Sequence, residues 1–88
     1  MPCMYILYSE KIDKYYIGAT HDLNDRIKRH NRNSGKFTST GTPWKLVYGE
    51  EYPTIIDAKK RETEIKKMKS RKYIEKLINS NWIEHPDL

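Results

Sequence analysis

The sequence predicts an α+β domain, a small and largely antiparallel sheet with helices packed on it, in the order β-β-α-β-α-α. Three observations predict it. Two short apolar runs, Met4 to Tyr8 and Tyr15 to Gly18, flank a polar stretch and read as a hairpin. Lys45 to Tyr52 alternates and stops at Pro53, as a third strand would. Segments between and after these strands place apolar residues at helical spacing behind capping side chains.

Met4 to Tyr8 is continuously aromatic and aliphatic, which fits a buried strand. Glu10 to Lys14 suits the hairpin loop, and Gly18 is expected to end the second strand, where backbone must turn or approach something closely. Thr20 or Asp22 can cap a helix running to about Asn31, with Leu23, Ile27 and His30 on one face and Arg26 at its border. Arg32 to Trp44 reads as a long loop, basic and rich in hydroxyls. In the third strand Leu46 and Tyr48 are expected opposite Val47. Thr54 opens the next helix with Asp57 three residues on, a pair like a capping box, and Ile55, Ala58, Ile65 and Met68 mark its buried stripe. Ser70 caps a last helix whose apolar face is Tyr73, Ile74, Leu77 and Ile78. Asn79 to Leu88 is expected as a tail, with Trp82 folded back on the body.

Eighty-eight residues are expected to make one domain with a small core, burying roughly 60–65% of the unfolded surface. The formal charge is +5, from 17 Lys and Arg against 12 Asp and Glu. Nine basic residues fall between Lys59 and Lys76, opposed only by Glu62, Glu64 and Glu75. Arg26, Lys28, Arg29, Arg32 and Lys36 form a second group. Such clusters favour a polyanionic partner through phosphate contacts and counterion release, although a solvated helix face has the same composition. Cys3 is the one cysteine, so these residues form no internal disulfide and no cysteine-based metal cluster. His21, His30 and His85 lack zinc-ligand spacing. The start has no basic lead, no stretch approaches a membrane span, and a reducing cytoplasm is the expected location.

Five residues could carry chemistry. Glu62 interrupts the apolar stripe of a basic helix, where a carboxylate needs a partner. A salt bridge to Arg61, Lys66 or Arg26 would satisfy it; so would a magnesium ion, which often takes one or two carboxylates and fills its shell with water and substrate phosphate. Arg26 and His30 are four apart and share a helix face. Arg26 could clamp a phosphate, or pair with Asp22 or Asp25; His30 could hold a water or take its proton, or be a half-buried helix residue. Tyr5 and Tyr16 are ordinary strand residues taken singly. On paired strands both could project toward one site, though a phenol acting as base needs a cation or similar neighbour to lower its pKa of about 10.

The ordered set resembles the GIY-YIG endonuclease superfamily, in the small stand-alone form similar to the nuclease domain of the bacterial excinuclease C subunit. The resemblance covers Met4 to Ile78. Tyr16-Ile17-Gly18 matches the second signature tripeptide, whereas Cys3-Met4-Tyr5 keeps only the tyrosine of the first. Asp22 to Asn31 looks like the family's arginine helix and Ala58 to Lys66 like its metal-binding helix. The resemblance implies a three-stranded antiparallel sheet flanked by helices, an α/β sandwich, that hydrolyses DNA phosphodiesters with Mg²⁺ or Mn²⁺. It implies Tyr5, Tyr16, Arg26 and His30 as catalytic residues and Glu62 as the metal ligand, with Tyr5 deprotonating or orienting the attacking water. Lys28, Arg29, Arg32, Lys36, Lys66 and Lys69 are the expected nucleic-acid contacts. Asn81 is the expected counterpart of a late asparagine in some members. Ala19 stands where excinuclease domains commonly carry a lysine, so one cation that could perturb a phenol is missing. DNA is the expected partner, branched or damaged forms included, with shape or a targeting protein directing the choice. A non-catalytic nucleic-acid-binding module that keeps the fold is the alternative, and an interaction subunit for an acidic protein a third reading.

Overall fold

The computed structural model describes residues 1–32 and 40–84, and side chains as far as Asn79. The elements are β1 (Cys3–Ser9), β2 (Lys14–Thr20), α1 (Leu23–Asn31), β3 (Lys45–Glu51), α2 (Ile55–Met68) and α3 (Arg71–Glu84). The order is the expected one. The three strands form one antiparallel sheet in the spatial order β2-β1-β3.

β1 is therefore central, which explains why its sequence does not alternate. Both faces of a central strand are covered, and Cys3 through Leu7 are all buried. Met4 and Ile6 enter one cluster with Ile17, Tyr48, Ile65 and Ile74, contributed by β2, β3, α2 and α3. Tyr5 and Leu7 enter the opposite cluster with Trp44, against Tyr16, Leu23 and Ile27 of β2 and α1.

The expected caps are in place. The Asp22 side chain accepts from the Asp25 amide, Thr54 from Asp57, and Ser70 from Tyr73. α2 ends at Lys69, which is in the left-handed conformation with φ 47°.

Four expectations are corrected. Gly18 does not end β2, which continues to Thr20. Val47 is bulged: Ile6 pairs with Tyr48 but Leu7 with Leu46. The bulge puts Val47 and Tyr48 against the same cluster and leaves Leu46 41% exposed, breaking the expected alternation. Met68 lies at the last turn of α2 and is 53% exposed, outside the buried stripe. α3 runs to Glu84, so Asn81 and Trp82 lie on a helix rather than in a tail. The packing of Trp82 and the side chain of Asn81 lie outside the described residues, as does most of the expected loop after Arg32, Lys36 included. No helix among the described residues is long and apolar enough to cross a membrane.

One polar cluster fastens α2 to the sheet. Glu50 of β3 accepts from Tyr48, Tyr52 and Arg61, with Arg61 Nε 3.0 Å from its carboxylate, and Arg61 also reaches Tyr73 of α3. Burial works to raise the Glu50 pKa, but the hydrogen bonds and the Arg61 charge outweigh it and hold it below the usual value. A depressed carboxylate stabilises the fold at pH values above its unfolded pKa, near 4.3, and loses that contribution as pH falls through the lower folded value. Glu50→Gln is expected to cost about 1.5–3 kcal/mol at pH 7, with a shallower loss of stability toward pH 3 than the native chain. Urea denaturation at the two pH values measures both.

Candidate active site

The site is built on the α1 side of the sheet. Tyr5 is fully buried on β1 and pairs across the ladder with Gly18 of β2. Its phenol lies over that glycine: a Cβ there would be 2.5 Å from the Tyr5 hydroxyl. Gly18 thus serves close approach rather than a turn, and only a residue without a side chain leaves room for the ring.

The Tyr5 hydroxyl is 3.2 Å from Nε2 of His30, which the α1 helix delivers from its last turn. Burial, then the neighbouring Tyr16, push the Tyr5 pKa up to about 12; Arg26 opposes this with its charge and a hydrogen bond, and Glu62 adds to it. Burial, then the Arg26 charge, push the His30 pKa down. The direction of this bond follows the imidazole tautomer: with the ring proton on Nδ1, the Tyr5 O–H donates to Nε2. The Tyr16 ring stands 4.5 Å from His30 edge-on and 6.4 Å from Tyr5 in a stacked arrangement.

Arg26 is half-buried on α1 beside Tyr5. The ion pair with Asp25 is not made; Asp25 pairs with Arg29 at 3.1 Å. Glu62 comes from α2, which packs across β2 and β1, and its charge reaches Tyr5. Its side chain is 22% exposed and its Oε2 is 2.5 Å from Lys66 Nζ. The salt bridge to Lys66, one of the expected partners of Glu62, is made.

A divalent ion fits this carboxylate. Among the described residues no three His, Cys, Asp or Glu side chains gather into a cage of their own. One hard oxygen ligand that already attracts an ammonium suits an ion that keeps waters and borrows phosphate oxygens from its substrate.

The other expected residues divide. Lys28, Arg29 and Arg32 are exposed on or beside α1, and Lys69 is exposed at the end of α2. Lys66 is tied to Glu62. Lys36 and the Asn81 side chain are outside the described residues. Trp44 was not marked as a site residue, yet it is buried with its ring 6.1 Å from Tyr16 and 6.5 Å from His30. Asn31 was also missed. Its amide accepts from the Trp44 N–H at 2.6 Å and donates to the Trp44 carbonyl at 3.2 Å, locking the end of α1 to the start of β3. A glycine inside an aromatic strand was the one available signal for the close approach at Gly18; periodicity carries none for Asn31 or Trp44.

The profile of the GIY-YIG catalytic domain matches residues 1–75. The chain belongs to the GIY-YIG family. This GIY-YIG chain is 48% identical over 52 residues to UPF0213 proteins of Staphylococcus aureus strains Mu3, Mu50 and N315, covering 58% of the chain and 63% of each relative. The matched part thus spans less than two thirds of the curated relatives' length. No solved structure matches significantly. The matched region is the family's catalytic domain, of nuclease type, and the five candidate residues fall within it.

Two outcomes follow from the geometry. Arg26→Gln removes a positive neighbour, so the His30 pKa rises toward 6.5; nitrogen-15 NMR of the imidazole reads the shift. Gly18→Ala places a methyl on the phenol and is expected to destabilise by about 1–3 kcal/mol, measured by denaturant melts, and to perturb the Tyr5 ring resonances.

Proposed function

We propose that this GIY-YIG chain is a divalent-metal-dependent endonuclease that hydrolyses DNA phosphodiester bonds in repair or processing, with Mg²⁺ or Mn²⁺ as cofactor. The observation that carries the reading is the Tyr5–His30 hydrogen bond, with the Arg26 and Glu62 charges both felt at the Tyr5 phenol.

With a pKa of about 12, Tyr5 is a poor base alone. Its bond to His30 supplies what it lacks. A water at the Tyr5 oxygen transfers a proton to that oxygen as the phenol passes its own proton to Nε2. The resulting hydroxide attacks phosphorus, the phosphorus–oxygen bond on the far side breaks, and the imidazolium holds the proton until it is returned to solvent or to the leaving oxygen. Tyr16 fixes the His30 ring by its edge contact and lines the approach to the phosphate. Arg26 binds the phosphate and opposes the charge that builds on its oxygens. A divalent ion on Glu62 would supply further charge neutralisation at the phosphate. The exposed cations of α1 and α2 contribute sequence-independent attraction, which leaves the choice of DNA form to shape or to a targeting protein.

The test is cleavage of single-stranded, duplex, nicked, flapped and branched DNA, with RNA in parallel, in Mg²⁺ or Mn²⁺. Cutting is expected to stop with chelator and in Glu62→Gln, and to fall by roughly 10²–10³ in Arg26→Ala, while salt-sensitive binding persists in Glu62→Gln. Salt-sensitive binding with no cutting of any substrate overturns the reading in favour of the non-catalytic module. The rate is expected to climb as pH rises through the His30 pKa, below 6.5, because only neutral imidazole accepts the proton; a pH–rate profile checks the position of that limb.

A further inference from the structure

A groove of about 430 Å³ opens between β2 and the turn that joins α2 to α3. Ile17, Ile65 and Ile74 contribute apolar lining, and Lys14, Lys66 and Lys69 contribute ammonium groups. Arg71 also borders the groove, but it is committed: its guanidinium bonds the Asp13 carboxylate at 2.6 Å and Glu75 at 3.3 Å. The positive charge open to an anion therefore comes from the lysines.

Lys66 belongs to two places at once. It lines this groove, and its Nζ sits on the Glu62 carboxylate. Glu62 and Lys66 are one turn apart on α2, and Lys69 follows as the left-handed cap of that helix at the groove, so this end of α2 leads from the candidate active site into the groove. Lys66 is 53% exposed on a flexible four-carbon stem, free to turn between the two. A divalent ion at Glu62 would repel an ammonium seated on the same oxygen.

We propose that Lys66 couples ion binding at Glu62 to binding of a nucleic-acid phosphate in this groove. The proposal rests on the reading of Glu62 as the metal ligand. Without an ion, Lys66 neutralises Glu62. When an ion takes that carboxylate, Lys66 turns into the groove and joins Lys14 and Lys69 as a third cation on a phosphate flanking the cleaved bond. Linkage makes the effect mutual: a phosphate that draws Lys66 away bares the carboxylate for the ion. Ion and strand then load together, and neither binds as well alone.

The test uses the full chain, Mn²⁺, and a short phosphorothioate oligonucleotide that resists cutting, with free Mn²⁺ followed by electron paramagnetic resonance. Glu62→Gln supplies the background of ions carried by the oligonucleotide itself. In the native chain the oligonucleotide is expected to raise Mn²⁺ affinity by about tenfold, and Mn²⁺ to raise oligonucleotide affinity by the same factor. In Lys66→Met, Mn²⁺ is expected to bind more tightly without the oligonucleotide, the mutual enhancement to shrink to the part that phosphate oxygens on the ion supply, and the salt slope of strand binding to fall by about one. Lys69→Met is expected to weaken the strand and leave Mn²⁺ binding in its absence unchanged. No enhancement in the native chain, or equal enhancement in Lys66→Met, overturns the coupling and leaves Glu62 as ligand intact. Undiminished Mn²⁺ binding by Glu62→Gln overturns the ligand assignment itself, and the coupling with it.

Discussion

The burial of a phenol in the central strand, laid across a glycine, sets the terms for everything around it. A buried hydroxyl must be hydrogen-bonded, and the Tyr5 hydroxyl lies where Gly18 leaves out a side chain. His30 answers that demand, and it can do so only if α1 packs its Leu23 and Ile27 face against the same side of the sheet. The bond that satisfies the phenol therefore also places the helix carrying Arg26. Among the described residues every fully buried side-chain nitrogen and oxygen has a partner. The site is assembled by the same requirement that closes the core.

The two faces of the sheet divide the work. The face with Met4, Ile6, Ile17 and Tyr48 receives α2 and α3 and supplies most of the apolar burial. The other face holds the rings of Tyr5, Tyr16, His30 and Trp44. Glu62 comes from the α2 side of the sheet. Arg61 is anchored to Glu50 on β3, while Ala58 and Ile65 are buried beneath α2. Consecutive helical residues point about 100° apart, so Arg61 and Glu62 flank the buried stripe on opposite sides, and the Glu62 charge is felt at Tyr5.

Much of this was legible along the chain. Element order and the caps at Asp22, Thr54 and Ser70 are local properties, set by apolar spacing and by side chains bonding their own backbone two or three residues on. Glu62 interrupts an apolar stripe and Arg26 and His30 share a helix face, whereas Tyr5 and Tyr16 stand out only through the resemblance of the ordered set. The bulge at Val47 was not, because it depends on how β3 meets β1 rather than on β3 itself. Nor was the bidentate lock of Asn31 on Trp44, which joins residues whose intervening chain carries no periodic signal.

By itself, the order of residues determined which segments become strands and helices, the basic character of α1 and α2, and a shortlist of groups able to handle a phosphate. Only the tertiary structure decided what those groups feel. Desolvation and the proximity of Tyr16 push the Tyr5 phenol up, burial and then the Arg26 charge push the His30 imidazole down, and Lys66 rather than Arg26 sits on Glu62. These are properties of distance and burial between residues 4 to 57 positions apart in the chain, and such distances exist only once β1, β2, α1 and α2 are packed together.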